Sequence, residues 1–146
     1  MIRFRRPSRV EEMIAIKEGF WLGSSYAALT FFGHLVVHSQ EEANRLNDRP
    51  LSNSSLKRHE TIHLRQAQST HNSWICFYTL YIYYYLRALP QNRHMRNAAY
   101  YLNPFEIEAY KHMYDPDYVE KCRQGANEWR TYAKMKPSER LRITKS

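Results

Sequence analysis

The stretch "SSLKRHETIHLRQAQ" (residues 54–68) carries the reading on which the rest of the chain turns. Its serines are suited to cap a helix, so a helix is expected to start at Ser54 or Ser55 and run through "LKRHETIHLRQAQ". On that helix His59 and His63 stand four residues apart, and side chains at that spacing stack on one face, one turn above the other. The pair can offer two imidazole nitrogens to a single ion. Zinc takes neutral imidazole readily, and a catalytic zinc keeps three protein ligands and one open position. Glu60, beside the first histidine, then reaches a water rather than the metal and is placed as a general base. The bland alternative is a histidine pair exposed on a basic helix. Leu56, Ile62 and Ala67 give that helix apolar contacts and weigh against it.

A third ligand decides between the readings. The histidine-extended pattern H-E-x-x-H-x-x-G-x-x-H needs glycine at 66 and histidine at 69, but this chain has Gln66 and Ser69. A carboxylate from a later helix is the other solution. "NPFEIEAY" (residues 103–110) opens a helix with Asn103 as cap and Pro104 at the first position, and it offers Glu106 and Glu108. These two point about 200° apart at 3.6 residues per turn. Glu106 also fits a capping box with Asn103, in which its carboxylate only satisfies a backbone N–H. The 43-residue gap between His63 and Glu106 leaves room for a tyrosine-rich helix to turn back and bring Glu106 beneath the first helix.

"HETIH" followed by "LRQAQ", with "ExEA" in a later helix, resembles the gluzincin-type zinc metallopeptidases. Within that group the chain looks most like small uncharacterised bacterial proteins. These pair an H-E-x-I-H-x-x-Q helix with an aromatic-rich helix and an F-E-x-E-A-Y helix. The resemblance spans roughly residues 27–115. It implies His59, His63 and Glu106 as zinc ligands and Glu60 as the catalytic base. Related families place an aspartate where this chain has Tyr110, and that aspartate orients a zinc-binding histidine. A phenol can hydrogen-bond a ligand, or an oxyanion, but supplies no negative charge to strengthen an imidazole. Tyr110 is therefore an orienting or oxyanion candidate, with Tyr100 and Tyr101 as further oxyanion candidates.

The flanking sequence fills in the architecture. Residues 10–22 place Val10, Met13, Ile14 and Ile16 near one side and read as weakly helical. Residues 26–39, β-branched and aromatic around Gly33, read as one bulged strand or two short strands. The stretch at 27–38 resembles the edge strand that lines substrate clefts in zinc proteases; an ordinary sheet edge is the alternative. "THNS" (70–73) breaks the chain, with Asn72 or Ser73 capping a helix that Pro90 ends. A last helix is expected over 118–135, weakened by Gly125. The expected fold class is α+β: a mainly helical single domain, residues 1–146, with a short strand or hairpin before the H-E-x-x-H helix. Its minimal zincin-like core lies at about 24–116, flanked by basic N- and C-terminal segments. His34 and His38 share a face if no bulge intervenes; His71, His94 and His112 read as surface or loop histidines.

Composition limits the rest. An apolar content of 43% argues against wholesale disorder. The net charge of +8 favours anionic surfaces, yet no nucleic-acid fold signature accompanies it and no specific nucleic acid is expected. The apolar run 74–89 is shorter than the roughly 20 residues a spanning helix needs. Its tyrosines suit burial or a peripheral contact with lipid. No signal peptide is read at the N-terminus, so the expected location is cytoplasmic, with peripheral membrane association open. Cys76 and Cys122 allow one bridge but no disulfide framework. The expected function is hydrolysis of peptide bonds in a peptide or protein substrate by a Zn2+-activated water. The alternatives are a zinc-binding module without turnover, acting in protein interaction or regulation, and a basic binder of nucleic acid or anionic membrane.

Overall fold

The computed structural model describes the backbone of residues 14–17, 28–31, 34–37, 40–48, 55–88 and 98–144, and the side chains of 40, 41, 43–45, 47, 48, 55–88 and 99–143. Along this backbone run β1 (Ile14–Lys17), β2 (Ala28–Phe31), β3 (His34–Val37), α1 (Gln40–Asp48), α2 (Ser55–Ser69), α3 (Trp74–Ala88), α4 (Ala98–Tyr101), α5 (Pro104–His112), α6 (Tyr118–Lys121), α7 (Trp129–Ala133) and α8 (Pro137–Thr144).

Helix α2 is the axis of the assembly. Every residue from Lys57 to Ala67 is buried, although the segment is rich in charged and polar side chains. The Thr70–Ser73 break then reverses the chain. His71 and Asn72 take positive φ values of 56° and 51°, a region that asparagine tolerates better than most residues. Ser73 caps α3, its hydroxyl accepting from the Cys76 N–H at 3.2 Å. Helix α3 buries Trp74 and Phe77 while exposing Ile75, Ile82, Tyr83 and Leu86. Asn103 caps α5, its side-chain oxygen accepting from the Phe105 N–H at 3.1 Å, with Pro104 opening the helix.

Phe105 ties these helices together. Its ring centre lies 4.8 Å from that of Phe77 on α3 and 4.5 Å from that of Trp129 on α7. Leu64 and Ala67 of α2 join the same core. The end of α2 is held as well. The Trp129 indole donates to the Ser69 hydroxyl at 3.0 Å, and the Arg130 guanidinium donates to the Ser69 carbonyl at 2.8 Å. That ion takes up one of the carbonyls a helix terminus leaves unpaired.

The expected α+β, minimal zincin-like class is corrected. Of the residues with described side chains 76% are helical and none lies in a strand, so the fold is mainly helical and a strand or hairpin is not shown among them. The short backbone segments β1, β2 and β3 are arranged in the order β1-β3-β2. β1 pairs parallel and β2 antiparallel to β3. Helix α1 intervenes before α2. β1 also replaces the weak helix expected near residues 10–22; its Ile-Ala-Ile-Lys run suits an extended backbone. Within the stretch 27–38, β3 is paired on both sides and β2 lies at an edge of the sheet order.

The single helix expected over 118–135 is divided into α6 and α7. Gly125 breaks it at φ 134°, where L side chains are strained. The basic C-terminal segment forms α8 rather than a tail. Cys76 and Cys122 are both free thiols. Among the described residues no helix is long and apolar enough to cross a membrane.

Gly125→Ala should expose how closely this turn sits on α2. A Cβ there would stand 3.3 Å from Ser69 Cβ on a backbone that disfavours it. The expected loss is about 1–3 kcal/mol of stability, read as a lower urea midpoint with an unchanged slope.

Candidate metal centre

His59 and His63 face the start of α5. The Nε2 atoms of both approach one oxygen, Glu106 Oε1, at 3.0 Å and 2.9 Å. All three residues are buried, and their ligand atoms lie within 4.8 Å of one another. Zinc bonds of about 2.0–2.1 Å set tetrahedral donors about 3.3 Å apart. The two nitrogen–oxygen separations are already near that edge length. The donor chemistry, two imidazoles and one carboxylate, could hold a metal ion, and zinc accepts both donor types. These residues fit the ion.

Glu106 does not close a capping box. The Asn103 N–H is satisfied by the Tyr100 carbonyl at 3.2 Å. The second oxygen of Glu106 accepts from the Tyr81 hydroxyl at 2.9 Å. Tyr81 is itself held by Asn103, whose side-chain amide donates to the Tyr81 carbonyl at 2.9 Å. One asparagine thus caps the ligand-bearing helix and fixes the helix that brings Tyr81.

Glu108 is no ligand here. It turns to Gln66, whose amide nitrogen donates to Glu108 Oε1 at 2.8 Å and to the Phe105 carbonyl at 2.9 Å. The Gln66 oxygen faces His63 Nδ1 at 2.8 Å. Tyr118 donates to Glu108 Oε2 at 2.6 Å, and the Glu128 N–H donates to the same atom at 3.2 Å. The 200° between Glu106 and Glu108 turns Glu108 to Gln66 and Tyr118 while Glu106 meets the imidazole nitrogens.

Tyr110 lies against His59, ring to ring, with centroids 4.4 Å apart at 67°. Its hydroxyl pairs with that of Tyr100 at 3.2 Å. It packs on one ligand without orienting it through an acceptor. His59 Nδ1 is buried and has no hydrogen-bond partner among the described residues. Glu60 is buried, and its charge acts on His63, Tyr81 and Tyr110. Tyr101 is half exposed beside Tyr110.

Of the other histidines, His71 sits in the α2–α3 turn. His112 is not an isolated surface ring: it bonds Glu128 at 2.8 Å and stacks on Tyr118 at 3.7 Å. His38 and His94 lie outside the described residues, as does the side chain of His34. Sequence reasoning missed Tyr81 and the parts played by Glu108 and Tyr118. The available signals were the glutamine three residues after His63 and the helical period carrying Phe77, Tyr81 and Tyr84.

Burial alone would lower the basicity of His63. The adjoining Glu106 charge and hydrogen bond outweigh it and push its pKa up to about 9. Glu106 moves the other way. Burial would raise its pKa, but the two imidazoles hold it well below the usual carboxylate range. Burial lifts Tyr81 and Tyr100 above the ordinary phenol value and takes Tyr110 to about 12, so all three are hydrogen-bond donors at neutral pH.

Comparison with known protein families, curated proteins and solved structures finds no match to this chain, so the site is read from its own chemistry.

A pH dependence follows for chelated protein. His63 binds its proton more tightly folded than unfolded, so its contribution to stability is full below about 6.5 and is lost as pH rises through about 9. Thermal unfolding in EDTA should therefore show the melting temperature falling between pH 6.5 and 9. Glu106→Gln should flatten that slope.

Proposed function

We propose that this chain is a zinc-dependent hydrolase of peptide bonds with a gluzincin-like ligand set. The observation that carries the reading is the convergence of His59 and His63 Nε2 on Glu106 Oε1, with Glu60 one residue from the first ligand. His59, His63 and Glu106 would hold Zn2+, which when bound acts as a Lewis acid and makes water a competent nucleophile at neutral pH. Glu60 takes a proton from the attacking water and returns it to the leaving nitrogen. Tyr110, packed on His59, and Tyr100, bonded to the Tyr110 hydroxyl, are both protonated at neutral pH and are candidate donors to a developing oxyanion. The substrate class is peptide or protein.

A second reading, a zinc-binding module without turnover, has its own support. His59, His63 and Glu106 are 3%, 5% and 2% exposed, which restricts a substrate's approach to an ion held there.

Metal analysis of purified protein beside His63→Ala tests the site. About one zinc per chain is expected in the wild type and far less in the variant; equal contents would refute it. Glu60→Gln then separates the readings. It should keep its zinc and lose peptide hydrolysis by about a hundredfold or more. No hydrolysis by zinc-loaded wild type across a broad peptide library would favour the module.

A further inference from the structure

We propose that Gln66 and Glu108 form a positioning relay, in which a buried carboxylate acts through a locked amide to keep the His63 proton on Nδ1 and leave Nε2 as the metal-facing atom. The inference rests on the metal-site reading and deepens it.

The argument begins with an amide that cannot turn over. Gln66 is fully buried, and both of its N–H groups are taken, by the Phe105 carbonyl at 2.9 Å and by Glu108 Oε1 at 2.8 Å. Flipping it would press its oxygen against two other acceptors at those distances, each an unmade bond in a dry interior. Its oxygen is therefore the atom facing His63 Nδ1 at 2.8 Å, and it can only accept. His63 must carry a proton on Nδ1, and Nε2 is left for Glu106 and the ion.

Glu108 enforces this arrangement. Gln66, Tyr118 and the Glu128 N–H all donate to it. Both of its oxygens therefore act as acceptors. Its charge polarises the Gln66 amide and makes the amide oxygen a stronger acceptor. Glu108 thereby supplies the negative charge that Tyr110, two residues further along α5, lacks. The two ligands are consequently unequal. His63 is oriented by a hydrogen-bonded chain, whereas His59 has a ring contact on one side and an unpartnered Nδ1 among the described residues.

Zinc dissociation constants from chelator competition test the relay, with the stability of the metal-free protein measured alongside. Glu108→Gln should weaken zinc binding by about 10–100-fold, the usual effect of losing a ligand's orienting partner. Gln66→Leu removes the acceptor on His63 Nδ1, and adding Glu108→Gln to it should cost no further zinc affinity, because both residues act through one chain. Nitrogen-15 resonances of zinc-loaded wild type should show His63 protonated at Nδ1 and metallated at Nε2.

Zinc affinity within about twofold of wild type in Glu108→Gln would overturn the relay and leave the metal site standing. So would losses that simply add in the Gln66→Leu, Glu108→Gln double variant, since independent effects mark a packing role. The wild-type spectrum decides the matter even where a variant does not fold: metal on Nδ1 of His63 overturns the relay. A wild type that binds no zinc overturns the metal site and the relay together.

Discussion

One carboxylate oxygen, Glu106 Oε1, meets two imidazoles in a place closed to water, and the arrangement of α2, α3 and α5 answers to it. An unpaired carboxylate at that depth would cost several kcal/mol. The partners must therefore be brought to it, and all three helices take part. α2 supplies the histidines, α5 supplies the glutamate, and α3 supplies the Tyr81 hydroxyl that occupies the other oxygen. Removing any one partner leaves a buried polar group unanswered, so these contacts fix the relative rotation of the helices more tightly than apolar packing alone.

The apolar core is arranged so that this meeting occurs. Phe105 immediately precedes Glu106 and is wedged between Phe77 and Trp129. Any slide of α5 along α2 would break those ring contacts before it moved the carboxylate. Asn103 adds a second lock by capping α5 and holding the Tyr81 backbone. Beyond Glu108, the network runs through Glu128 to Tyr132 and His112. It couples the site to α7 by hydrogen bonds in addition to the Phe105–Trp129 ring contact.

Burial gives the centre two opposing qualities. Low dielectric strengthens each contact between Glu106 and its partners. The same burial leaves the three ligand residues almost without solvent exposure. Tyr110, packed on His59, is itself partly exposed. Strong contacts and restricted access are thus products of one feature.

Local chemistry determined much from sequence alone. The start of α2 at Ser55, the Thr70–Ser73 break, the Asn103–Pro104 start of α5 and the shared face of His59 and His63 all depend on residues within a few positions of one another. Such patterns are legible in a linear chain. The weak helix read near 10–22 failed because four apolar residues suit either period, and β1 took the extended one. The 118–135 helix failed at Gly125, whose positive φ comes from its fit against Ser69, 56 residues earlier. Distance along the chain also hid the partners of the site. Only packing could decide that Glu106 turns to the histidines instead of its own helix cap, that Tyr81 is the tyrosine among twelve that holds it, and that Glu108 reaches His63 through Gln66. Side-chain identity announces what a residue can bond. Which bond it makes is set by what the folded chain leaves within 3 Å in a dry interior.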